Sequence, residues 1–111
     1  MAAITNITID QGADFIYYIY VVDVNGNTIN LSTYTANSLI RPSYTSNVFY
    51  IANIDSSHSG NGQIVMTVNS ATTSQLTQTR YVYDLVLTSN NGIVSRLLEG
   101  YVNVNLGVTV T

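Results

Sequence analysis

The chain has 111 residues and nine formal charges, with Arg41, Arg80 and Arg96 set against Asp10, Asp14, Asp23, Asp55, Asp84 and Glu99. A chain of this length supports one hydrophobic core and not two, so a single domain over 1–111 is expected. Cysteine is absent, which excludes disulfides, thiolate nucleophiles and zinc-thiolate sites. Three arginines without a lysine, at a net charge of −3, argue against nucleic acid, whose phosphates call for clustered cations.

Ser, Thr and Asn fill 38 positions and replace the missing charge. A surface of hydroxyls and amides generates little long-range repulsion between copies, which suits a fixed place in an assembly. A genomic bias toward Asn, Ile and Tyr codons is the alternative source of such a composition. The opening Met1-Ala-Ala-Ile-Thr-Asn6 has neither a basic stretch nor an apolar run and does not read as a secretory signal. The longest apolar run, 15–22, is far below the roughly 18 residues that cross a bilayer as a helix, so no membrane partner is expected.

Period-2 apolar patterns bounded by turn residues recur along the chain, and helical spacing is nearly absent. A first strand is predicted at 4–9, broken by Gln11-Gly12. A second covers 14–24, apolar on both faces, and Asn25-Gly26 after it predicts a two-residue type I′ hairpin. A short return at 28–31 and a corner at 32–34 lead to a third strand at 35–41, which Pro42 ends or places on an edge. A fourth strand lies at 47–54, before the Ser/Gly/Asn-rich loop 55–62.

Residues 63–69 alternate as a half-buried strand. Residues 70–76 form the one predicted helical turn, capped by Ser70 and pinned to the core by Leu76. The sixth strand, 80–88, sends Tyr81, Tyr83, Leu85 and Leu87 to one face. Asn90-Asn91-Gly92 then turns the chain into a last strand at 93–106, where Gly100 marks a bulge or a close backbone approach. About seven short strands with one helical turn predict an all-β fold, an immunoglobulin-like antiparallel β-sandwich, with a small closed barrel as runner-up. Tyr81 or Tyr83 is placed to form a tyrosine corner. The predicted core is Ile19, Val21, Leu31, Ile40, Ile64, Met66, Leu76, Leu85, Leu87, Val102 and Val104.

Catalytic patterns are scarce. His58 is the single imidazole and has only Asp55 nearby in sequence, too few ligands for a metal site. No Gly-x-Ser-x-Gly elbow marks a nucleophile, and no phosphate-cradling glycine loop precedes a helix. The six carboxylates are scattered beside turns and within strands, which offers no pair for glycoside hydrolysis. The stretch Asp23-Val-Asn-Gly-Asn27 lacks the closing glutamate of a calcium loop and reads as a hairpin turn. Asn6-Ile-Thr8 and Asn30-Leu-Ser32 match the glycosylation sequon but, without a secretory signal, carry little weight. The expectation is a protein that is no enzyme and uses no cofactor.

Nine tyrosines are the most informative residues. In the second strand Tyr17 shares a face with Phe15 and Ile19, while Tyr18 and Tyr20 share the other with Ile16 and Val22. One reading makes this a central strand covered on its outer side; the other makes one face an interface, for which tyrosine is suited by its area and polar end. Tyr18 and Tyr20, with Tyr44, Phe49 and Tyr50 as a second patch, are the interface candidates.

Residues 80–104, with Tyr83-Asp84-Leu85 and Arg96-Leu-Leu-Glu-Gly100, resemble a recurrent small domain of tailed-bacteriophage structural proteins. Ile9-Asp-Gln-Gly-Ala-Asp-Phe15, Val24-Asn-Gly-Asn27 and Ile29-Asn-Leu-Ser-Thr-Tyr-Thr-Ala36 are similar to its opening, and Ser70 to Leu76 falls where that family has its helical turn. The similarity covers nearly the whole chain, although Thr72, Thr73 and Ser74 replace the usual charged residues of the turn. The resemblance implies an immunoglobulin-like domain located in the virion. It would contact other virion structural proteins, capsid or tail and baseplate subunits, in many copies or as a homo-oligomer. Its role would be capsid decoration or the anchoring of fibres at tail, neck or baseplate. The alternative from the tyrosines is a carbohydrate-binding or host-adhesion module, in which aromatic rings stack on sugars.

Overall fold

The computed structural model describes residues 3–56 and 59–108. Among the described residues there are eight strands: β1 (Ala3–Ile4), β2 (Ile7–Asp10), β3 (Phe15–Tyr20), β4 (Thr35–Arg41), β5 (Tyr50–Asp55), β6 (Gln63–Val68), β7 (Arg80–Thr88) and β8 (Val94–Asn105). A 3₁₀ turn (Ser59–Asn61) precedes β6, and one helical turn, α1 (Ser70–Thr73), follows it. Both β1 and β2 run parallel to β8, so they are two halves of one interrupted strand and the sandwich has seven.

The strand order is β1-β8-β7-β4-β5-β6-β3, with β2 also on β8. The sheet folds over itself at β5, whose residues 50–52 pair with β4 while 53–55 pair with β6. This crossing of one strand between the two layers nearly closes the sandwich. It leaves β3 at one end of the order and the β1/β2 strand at the other. The architecture is the all-β immunoglobulin-like sandwich that the alternation predicts.

The layers enclose one core. Ten of the eleven predicted core residues are buried, and Val21 is half-buried against them. Ile7, Ile9, Ala52, Val68 and Leu98 complete it together with Tyr81 and Tyr83. The two tyrosines are satisfied in different ways. The Tyr81 hydroxyl accepts from the Gln78 N–H at 3.1 Å, the backbone contact of a tyrosine corner just before β7. The Tyr83 hydroxyl donates to the Thr5 carbonyl at 2.6 Å.

Several local expectations are corrected. The turn after β3 is not type I′: among the described residues none other than glycine has a positive φ, and Gly26 N–H bonds the Asp23 carbonyl. Val24 and Asn25 are therefore the central pair of a type I-like turn, followed by Gly26 at φ 83°. The same pattern recurs at Ser89 to Ile93, with Gly92 at φ 82°. The predicted second strand shortens to 15–20 because the chain beyond it enters this hairpin, where Val22 and Thr28 make an isolated bridge. The first strand splits at Thr5 and Asn6. Asn69, not Ser70, caps α1, its side-chain oxygen accepting from the Thr72 N–H at 2.9 Å.

Gly100 is a close approach and not a bulge. A Cβ there would run into the Thr5 carbonyl carbon at 2.8 Å. The irregularity of the β7/β8 ladder lies instead between Leu85 and Val86.

Candidate functional site

The construction of β3 begins in the turn before it. The Gln11 amide donates to the Leu76 carbonyl at 3.2 Å and accepts from the Gly107 N–H at 2.9 Å, tying three distant segments together. Gly12 N–H donates to the buried Thr73 hydroxyl, which itself donates to the Ala13 carbonyl. Asp14 accepts from the Ser70 N–H at 2.6 Å. The short turn α1 thus acts as a dock that fixes the direction in which β3 leaves.

From Phe15 the strand pairs antiparallel with β6, from Phe15↔Val68 to Tyr20↔Gln63. Its inward residues Phe15, Tyr17 and Ile19 pack on the core. Its outward residues do not gain a cover: Ile16, Tyr18, Tyr20 and Val22 retain between 49% and 63% of their surface. The outer face is thus uncovered, which removes the reading of a central strand covered on its outer side; the strand order, which ends on β3, makes it an edge among the described residues.

The backbone of this edge is open as well. Val21 N–H donates to the Gly62 carbonyl, continuing the β6 ladder by one pair. Antiparallel alternation then directs Phe15, Tyr17 and Ile19 toward β6, and turns the N–H and C=O of Ile16, Tyr18 and Tyr20 to the open side. Among the described residues β3 has no second strand neighbour. From 15 to 22 the sequence carries no charge and no proline, the usual devices that blunt an edge.

The second predicted patch divides. Tyr44 and Phe49 are exposed in the loop between β4 and β5, with Val48 beside them in sequence. That loop is held by Arg41, whose guanidinium donates to the Ser46 carbonyl at 3.3 Å. Tyr50 instead turns inward: it is packed on the core, its ring edge-on to Tyr81 with centroids 6.2 Å apart.

A groove of about 410 Å³ lies on the face of β4, β7 and β8, with Tyr44 at its rim. Its charged lining is Arg41, Asp84, Arg96 and Glu99. Arg96 lies 3.3 Å from Asp84 and 3.4 Å from Glu99, so the two carboxylates share one cation. Arg80 lies over the Tyr101 ring at 4.9 Å. Sequence reasoning did not find this groove, because it assembles residues from three strands whose sequence spacing carries no sign of it.

The other polar candidates have structural duties. Asp23 accepts from the N–H groups of Asn25 and Asn27 at 2.8 and 3.0 Å, which makes it a turn residue. Asp10 accepts from the Asn105 amide. The sequon asparagines do likewise: Asn6 accepts from Tyr101 N–H and Asn30 from Ser32 N–H. Among the described residues no group of three or more His, Cys, Asp or Glu side chains converges to hold a metal. His58 lies outside the described residues. No described helix is long and apolar enough to cross a membrane.

One titrating group stands out. Burial raises the Tyr83 phenol from 10.0 to about 12, with the nearby Tyr17 adding to the effect.

No protein-family model matches the chain, and no curated protein matches it in sequence. Among solved structures it is similar to a chain in the crystal structure of ICOS in complex with ICOS-L and an anti ICOS-L VNAR domain, with a TM-score of 0.52 and 12% identity. The match covers 96% of this chain and 56% of that one, so this chain spans little more than half of its neighbour's length. What the two have in common is the immunoglobulin-like fold.

Proposed function

We propose that this chain is a non-enzymatic contact domain whose task is to bind another macromolecule, with β3 as the principal contact. The observation that carries this reading is β3 within the uncharged segment 15–22, exposed on its outer face and open along its backbone. Large aromatic side chains with polar ends combine contact area with low ordering cost, and an open edge supplies main-chain hydrogen bonds to an added strand. Asp14 and Asp23 are bonded to backbone N–H groups and Asp84 and Glu99 to Arg96, so none of these four stands as a free acid or base for a reaction.

Adhesion is the setting with most support. The structural neighbour of this chain comes from a complex of ICOS with ICOS-L and an anti ICOS-L VNAR domain. The exposed Tyr18, Tyr20 and Tyr44, the last beside a groove of mixed charge, offer stacking surfaces and hydrogen-bonding groups suited to a host surface, protein or glycan. Placement in a phage virion is the second reading, supported by the resemblance of 9–36 and 80–104 to phage structural domains. There the same faces pack against capsid, tail or baseplate subunits in many copies.

Light scattering with and without phage particles lacking this protein separates the two. Saturable binding at a fixed copy number supports the virion reading. A protein that ignores particles and is retained by a glycan array or by host cells supports adhesion. Loss of neither activity on replacing Tyr18 and Tyr20 by Ser removes β3 from the contact.

A further inference from the structure

We propose that the β3 edge is a self-recognition site, at which a second copy of this chain adds its own β3 antiparallel across a two-fold axis at Tyr18. The inference rests on the reading of β3 as a contact strand and names its partner.

The geometry of the edge sets what can occupy it. The open backbone groups belong to Ile16, Tyr18 and Tyr20, so the occupant is an extended strand and not a helix or loop. A strand added there has one face toward the half-buried Phe15 and Tyr17 and the other level with the exposed Ile16, Tyr18 and Tyr20. Both faces must therefore be apolar or aromatic, a requirement few strands satisfy.

The strand β3 itself satisfies it. With Tyr18 on the axis, Ile16 meets Tyr20 of the second copy on the outer face, and Tyr18 meets its own counterpart. On the inner face Phe15 meets Val21 and Tyr17 meets Ile19. Every pair joins apolar or aromatic side chains, the kind of cross-strand pair that stabilises sheets. No like charges are brought opposite each other, since Asp14 falls against Val22 and is already bonded to the Ser70 N–H.

The opposite end of the strand order makes a telling contrast. The β1/β2 strand is interrupted at Thr5 and Asn6 and ends on Asp10, which are devices that discourage pairing. The sequence blunts one edge and leaves the other flat, uncharged and aromatic. A six-residue strand about 20 Å long offers less than the roughly 800 Å² per partner of a standard interface, so the pairing is reversible and concentration-dependent.

Sedimentation equilibrium on the full chain from about 10 μM to 1 mM tests this, because a small interface populates its dimer only at the upper end. The expected result is an average mass that climbs toward twice the 12.1 kDa of one chain. Tyr18→Lys, with an unchanged circular dichroism spectrum, holds it at one. A cysteine scan makes the register visible, since the chain has no cysteine of its own. Identical residues face each other only on the axis, where the Cα separation of about 5.5 Å falls within disulfide range. Under mild oxidation Tyr18→Cys is expected to cross-link at least tenfold faster than Ile93→Cys, an exposed control in the β7/β8 hairpin and off the proposed axis. A monomer at 1 mM, or cross-linking at equal rates, overturns self-pairing. The contact reading stands or falls separately, on binding to particles, cells or glycans.

Discussion

The hydroxyl of Tyr83 donates to the carbonyl of Thr5 across 78 positions of sequence. The bond lies where the N-terminal strand breaks between β1 and β2, and Thr5 N–H simultaneously donates to the Glu99 carbonyl. A buried phenol therefore satisfies the carbonyl that the interruption releases from the ladder.

Burial raises the Tyr83 phenol from 10.0 to about 12, so alkaline stability depends on it. Between those values the unfolded chain loses this proton while the folded chain keeps it. The unfolded state then binds fewer protons and stability falls as pH rises, by roughly 2 to 3 kcal/mol in total by pH 12. Well below pH 10 both states keep the proton and the group contributes no slope. Tyr83→Phe is expected to cost about 1 to 2 kcal/mol at neutral pH, by leaving the Thr5 carbonyl unpaired, and to remove this part of the alkaline loss. Urea titrations at pH 7, 10 and 11 on both proteins check it, and equal alkaline losses would refute it.

Gly100 is what lets Thr5 come so near. A methyl group at this position meets the Thr5 carbonyl and, at 3.0 Å, the Asn6 side-chain oxygen, which itself accepts from Tyr101 N–H. Gly100→Ala must push β1 and β2 away from β8 at their junction, with an expected loss of about 2 kcal/mol or more. Thermal unfolding measures it. A variant as stable as the parent would mean that the N-terminal strand shifts at no cost.

Thr73 is the polar centre of the dock beneath β3, accepting from Gly12 N–H at 3.0 Å and donating to the Ala13 carbonyl at 2.9 Å. Thr73→Val keeps the shape and removes both bonds in a fully buried place. The expected cost is about 2 to 3 kcal/mol, from two backbone groups left unpaired. Hydrogen exchange at Gly12 should quicken with it, while the β7/β8 ladder keeps its protection relative to global stability.

Most of the fold is legible in the alternation itself. The predicted limits 35–41 and 80–88 coincide with β4 and β7, since both are bounded by clear signals, Pro42 after one and the polar run before Arg80 at the other. Errors fall where a specific hydrogen bond decides, within a turn in one case and across the fold in another. The type I′ turn failed because Asp23 offers its carboxylate to two N–H groups and favours a different turn over Asn25-Gly26. The first strand is split where the Thr5 carbonyl pairs with the hydroxyl of a tyrosine 78 residues away. In the candidate site, the outward pattern of Tyr18 and Tyr20 was readable, but the open edge was not. Edge status depends on β1 and β2 pairing with β8 instead of β3, a choice that no local pattern records. Tyr50 shows the converse: its neighbour Ile51 is exposed, while Tyr50 turns in to the Tyr81 ring and donates to the Gln75 carbonyl, partners that its local sequence does not reveal.

Replacing Tyr18 and Tyr20 together by Ser separates contact from stability. Both side chains are on the outer face and more than half exposed, and Tyr20 has one weak side-chain partner, the Gln63 amide at 3.4 Å. Exposed strand positions span about 1 kcal/mol between good and poor strand formers, so the double variant is expected to lose no more than about 1 to 2 kcal/mol and to stay folded. Removing two large aromatic groups from a contact typically costs far more, because such residues dominate binding energy where they are desolvated. Binding to particles, cells or glycans should therefore fall at least tenfold while the melting temperature moves by only a few degrees. A folded variant that binds as well as the parent would move the contact to the groove rimmed by Tyr44. An unfolded one would show that the outer face of β3 supports the core.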